Sequence, residues 1–94
     1  MGKPQRVWIV DVLMSEDVEA KLAVKHRVRR SEVEEAVTFG RYSSARWHQH
    51  DVYGERLLVK GRTSDGVELL VVLKPVNAFD GIWECKTARR TEKT

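Results

Sequence analysis

Ser31 to Tyr53 reads SEVEEAVTFGRYSSARWHQHDVY, and its two halves follow different periods. In the first, Val33, Ala36 and Val37 recur at i, i+3 and i+4, the spacing of one helix face. Ser31 and Glu34 have the S-x-x-E spacing of a capping box, and Gly40 stands where a helix C′ residue belongs. From Arg41 onward apolar and polar residues alternate, which is the period of a strand. The fold therefore turns from helix to sheet at Gly40, and the rest of the chain can be read outward from that point.

Upstream, Val7 to Val12 (VWIVDV) is a short β-branched and aromatic run, expected as a strand. Ser15 is a good N-cap for a first helix, with Glu16 and Asp17 in its first turn and Lys25, His26 and Arg27 in its last, as the helix dipole favours. Downstream, Gly54 marks a turn and Arg56 to Arg62 returns as a strand. Thr63 to Gly66 (TSDG) is a hairpin turn. Val67 to Lys74 (VELLVVLK) lacks alternation and reads as a central strand covered on both faces. Ile82 to Ala88 is the last strand. The expected architecture is α+β: an N-terminal strand, two helices, then a four-stranded antiparallel meander, with the helices on one face of the sheet. Residues 1–94 make a single domain, with 89–94 a frayed tail.

The chain has 94 residues, 41% apolar and 33% charged, a globular balance with a net charge of only +3. Any polyanion site must therefore rest on local clustering. One cysteine, Cys85, excludes a disulfide within the chain and points to a reducing, cytoplasmic setting, and no apolar run approaches a membrane span. Neither a phosphate-cradling glycine loop nor a paired-carboxylate or serine-triad motif is visible.

Three segments resemble the RelE/BrnT-type superfamily, small bacterial ribonuclease toxins of toxin–antitoxin pairs. KLAVKHRVRRSEVEEAV (Lys21–Val37) looks like that family's helical corner, GERLLVKGRTSDGVELLVVLKP (Gly54–Pro75) like its central hairpin, and IWECKTARRTEK (Ile82–Lys93) like its last strand with an Ala-Arg-Arg motif. The resemblance implies a ribonuclease that works without a cofactor or metal, with RNA and a cognate antitoxin or other protein as partners and no membrane. It also implies a corner glycine where this chain has Arg27, and a helix after Ala-Arg-Arg. The alternative is a non-catalytic module of the same fold that binds nucleic acid or a protein.

Metal-independent RNA cleavage needs a base, an acid and cations around the phosphorus. On a strand, Arg46, His48 and His50 share one face. A three-residue loop at Tyr53–Glu55 would put His48 opposite Lys60 and Arg46 opposite Arg62. His48 and His50, with Lys60, Arg62 and Arg89, are therefore the expected catalytic group, set against a plain solvated face. His48-x-His50 offers only two metal ligands. Lys25, Arg27, Arg29 and Arg30 form a basic corner, and Lys86, Arg89, Arg90 and Lys93 a second cluster. With Arg46, these are the expected nucleic-acid contacts, against plain solvation. Trp47 is expected to pack toward the helices.

Overall fold

The computed structural model describes residues 6–91. The elements are β1 (Asp11–Leu13), α1 (Glu16–Lys21), a π-helical turn (Leu22–His26), α2 (Arg30–Val37), β2 (Tyr42–His50), β3 (Gly54–Arg62), β4 (Glu68–Asn77) and β5 (Ile82–Arg90). They form one five-stranded sheet of order β1-β5-β4-β3-β2, in which β1 runs parallel to β5 and all other pairs are antiparallel. The α+β class, the element order and the meander are as the sequence reading expected. Both helices lie on one face, over a core that includes Leu22, Val28, Val33, Val37, Leu57, Val71, Leu73 and Trp83.

The first strand is shorter than its sequence suggests. The backbone of 7–10 is engaged elsewhere: the Ile9 carbonyl accepts from Phe39 N (2.8 Å), the Trp8 carbonyl from Trp83 Nε1 (2.8 Å) and the Val7 carbonyl from the Tyr42 hydroxyl (3.1 Å). Only Asp11 to Leu13 is left to pair with β5.

Ser15 caps α1 as expected, its Oγ accepting from Val18 N at 3.2 Å. The helix then widens into the π-turn. Arg27 N and Val28 N both donate to the Leu22 carbonyl, and Arg27 itself takes the left-handed conformation (φ 55°, ψ 40°) expected of a glycine. The corner is anchored on either side of Arg27 by the buried Leu22 and Val28.

The second helix starts two residues before the expected Ser31–Glu34 box. Arg29 is the N-cap residue, and the Glu32 carboxylate accepts from Arg29 N at 2.9 Å. Glu34 instead lies 3.5 Å from Arg30 along the helix. The helix also ends before Gly40, at Val37. The Thr38 hydroxyl donates to the Glu34 carbonyl (2.6 Å) and its backbone turns extended, after which Phe39 (φ 56°) and Gly40 (φ 76°) reverse the chain into β2.

β4 is covered on one face only. Leu69, Val71 and Leu73 are buried under the helices, while Leu70 and Val72 on the other face are half-buried, packed between neighbouring side chains and not beneath another layer. Its unbroken apolar run reflects a central position in the sheet and not a sandwich. At the far end, β5 continues through Arg89 and Arg90, which the sequence reading assigned to a tail. Thr91 N holds that end by donating to the Glu68 carbonyl (3.0 Å).

Candidate nucleic-acid interface

The helices cover one face of the sheet and leave the other to solvent, so each strand sends every second side chain outward. The hairpin register decides who meets whom there. His50 pairs with Gly54, His48 with Arg56, Arg46 with Leu58 and Ser44 with Lys60. The expected loop at Tyr53–Glu55 is thus corrected to Asp51–Tyr53, followed by Gly54 at φ 80°. A three-residue loop closed by a left-handed glycine is a common hairpin form, and the glycine in HDVYGE was the signal for it.

This slide keeps the same side chains on the outer face and changes their neighbours. Arg56, which the sequence reading did not single out, takes the place next to His48 that was expected of Lys60. Lys60 belongs to a row running Ser44, Lys60, Leu70, Arg89 across β2 to β5, and Arg62 pairs with Glu68. Four residues separate Ser44 from His48, so Lys60, Arg62 and Arg89 stand on the order of 13 Å or more along the sheet from the histidine row. The expected five-residue group shares one face but does not converge on one point.

A hollow of about 500 Å³ does form near the histidines, lined by His48, His50, Tyr53, Arg56, Leu58, Val72, Lys86 and Thr87. Lys86 reaches it through a bulge: Cys85 pairs with Leu73 and Thr87 with Val72, leaving Lys86 as the extra residue, 3.7 Å from Glu84. Leu58 and Val72 make an apolar floor. The His48 and His50 rings are 6.5 Å apart, edge to face.

The two histidines differ in what their nitrogens do. His50 Nδ1 accepts from Val52 N (3.0 Å) and Tyr53 N (3.2 Å), and its ring lies 4.7 Å from that of Tyr53. With Nδ1 accepting, the hydrogen of neutral His50 sits on Nε2. His48 is exposed and is not engaged in the turn in this way.

The basic corner has a different composition. Its hollow, about 550 Å³, is lined by Arg27, Arg29 and Arg90 but equally by Glu32, Glu35 and Asp65. Arg90 donates to the Arg27 carbonyl (3.0 Å) and lies 3.8 Å from Glu32, and Arg30 pairs with Glu34. Lys25 is exposed nearby. The C-terminal cluster does not form as a unit: Lys86 and Arg89 face outward, Arg90 turns to the helices, and Lys93 lies outside the described residues. Trp47 points into the core, its ring 5.6 Å from Trp83. Cys85 is fully buried, and burial, with Glu84 second, pushes its thiol up to about 12. A thiol so placed is a packing group and not a nucleophile. Among the described residues no three His, Cys, Asp or Glu side chains gather as a metal site, and no helix is long and apolar enough to cross a membrane.

No protein-family model and no curated protein matches the sequence. Among solved structures, the chain is similar to the Brucella abortus ribonuclease toxin BrnT, known from a 1.1 Å crystal structure, with a TM-score of 0.63. The chain shares the BrnT fold. The match covers 89% of this chain and 99% of the BrnT chain at 17% identity, so it is a likeness of backbone. Any chemistry shared with BrnT must be argued from the side chains.

Proposed function

We propose that the protein is a BrnT-like ribonuclease that cuts RNA without a metal on the open face of its sheet. The observation that carries this reading is the pairing of an exposed imidazole, His48, with Arg56 beside a hollow that Lys86 also lines. In the reaction the 2′-hydroxyl attacks the adjacent phosphorus, the bond to the 5′-oxygen breaks, and a 2′,3′-cyclic phosphate and a 5′-hydroxyl result. His48 takes the 2′-proton and returns a proton to the leaving oxygen, a dual role suited to an imidazole near neutral pH. Arg56, Arg46 and Lys86 stabilise the charge that builds on the phosphorane oxygens. Lys60, Arg62 and Arg89, farther along the face, follow the phosphate backbone. His50 is given a positioning role by its two accepted hydrogen bonds.

The basic corner has the blander reading, because its arginines are interleaved with carboxylates. For a protein partner in the position of an antitoxin, an apolar surface is available at Trp8 and Phe39, whose exposed rings meet edge to face at 6.2 Å.

The test is cleavage of single-stranded RNA by the wild type and by His48→Ala and His26→Ala variants, each first shown to be folded. Loss of the general base lowers the rate ~10²–10⁴-fold, and His26→Ala should stay near wild type. Equal cleavage by His48→Ala would remove the assignment. A wild type that binds RNA without cutting it would leave the non-catalytic module.

A further inference from the structure

The open face carries an arrangement that phosphate binding alone does not use. Tyr53, at the tip of the β2–β3 turn, is 66% exposed yet held in place. Its backbone N–H and that of Val52 donate to His50 Nδ1, its ring lies 4.7 Å from the His50 ring at 34°, and the Arg56 guanidinium carbon is 5.7 Å from its centroid. Beside it the hollow has Leu58 and Val72 as floor, with cations at the rim. A fixed aromatic wall, an apolar floor and a cationic rim suit a planar, uncharged ring flanked by phosphates.

We infer that this hollow is a subsite for one unpaired RNA base, stacked against Tyr53, with His50 as the residue that positions the wall. The inference rests on the open face being the RNA surface and adds its selectivity. About 500 Å³ lies within the ~300–1,000 Å³ typical of small-molecule sites. A base in a duplex is already paired and stacked and must be extruded to enter, whereas a single-stranded base enters directly. The protein therefore selects single-stranded over duplex RNA. A purely acidic ligand would satisfy the rim and leave the apolar floor and the aromatic wall uncovered.

The experiment measures equilibrium binding of the whole protein to three RNAs. They are a short single strand, a strand of the same length abasic throughout, and a duplex of equal charge, all 2′-O-methylated so that the nucleophile is blocked. Tyr53→Ala should weaken single-strand binding on the order of 10-fold while Tyr53→Phe keeps it. The abasic strand should bind more weakly and no longer respond to Tyr53→Ala. His50→Ala should follow Tyr53→Ala, and His50→Asn should restore binding, because an Asn oxygen accepts the same pair of turn N–H groups. If the protein binds these RNAs and cuts unmodified RNA, but Tyr53→Ala and the abasic change are both silent, the subsite is wrong and the ribonuclease reading survives. If no RNA binds, both fall. If Tyr53→Ala weakens binding of the single strand and the duplex alike, the hollow does not take an unpaired base and the inference is overturned.

Discussion

Arg27 holds a left-handed backbone conformation that costs an L-residue roughly 1–2 kcal/mol, and its side chain is exposed. Its carbonyl, the atom Arg90 contacts, survives any substitution. Arg27→Gly should therefore stabilise the fold by about 1 kcal/mol, raising the thermal midpoint by roughly 4–8 °C, as a melting curve would show. Position 27 was legible as a corner from the resemblance, which set a glycine there, but the residue that absorbs the strain was not. Cys85 gives a second test. Burial pushes its folded-state thiol up to about 12 from an ordinary 9.0, so the folded chain keeps a proton that the unfolded chain loses. The associated stability is complete below pH 9 and is lost as pH rises from 9 toward 12. Compared with Cys85→Ala, the wild type should lose up to about 1.4 kcal/mol more per pH unit in that range, read from denaturant titrations. His50 shows what a sequence leaves unreadable at this scale. Its identity fits a proton carrier, but its role follows from where the turn places two backbone N–H groups.

α2 sits directly on β3 at Gly61, where an added Cβ would fall 2.0 Å from the Ala36 carbonyl oxygen. The obstacle is backbone and cannot step aside by changing rotamer. Gly61→Ala should cost about 3 kcal/mol or more, seen as a lowered denaturation midpoint. Nothing in the run LLVKGR distinguishes this close approach from an ordinary strand glycine. Helix and strand identities were readable because they rest on local periods and caps. Register was not, because a four-residue shift in pairing sum preserves which face each side chain takes and changes only the neighbours. That is why the histidine row was recovered but His48 was given Lys60 where the sheet places Arg56. The start of α2 moved for a similar reason: three glutamates crowd its first turns, and Glu32 rather than Glu34 reaches the cap.

At the scale of the whole molecule, a net charge of +3 hides an uneven distribution. The helical corner mixes its arginines with Glu32, Glu34, Glu35 and Asp65, while the open sheet face sets Arg46, Arg56, Lys60, Lys86 and Arg89 around few carboxylates. Both groups looked alike in the sequence, since a cluster along the chain carries no information about what folds against it. The proposed function puts RNA on the sheet face and not on the corner. The most direct measurement is the salt dependence of single-stranded RNA binding. It compares the wild type, Arg46→Gln/Lys86→Gln/Arg89→Gln on the face, and Lys25→Gln/Arg29→Gln/Arg30→Gln on the corner. Each phosphate contact contributes about 0.7 to the slope of log affinity against log salt, so the face variant should lose roughly 2 from that slope and the corner variant almost nothing. A slope that falls in the corner variant and holds in the face variant would put the RNA on the corner instead.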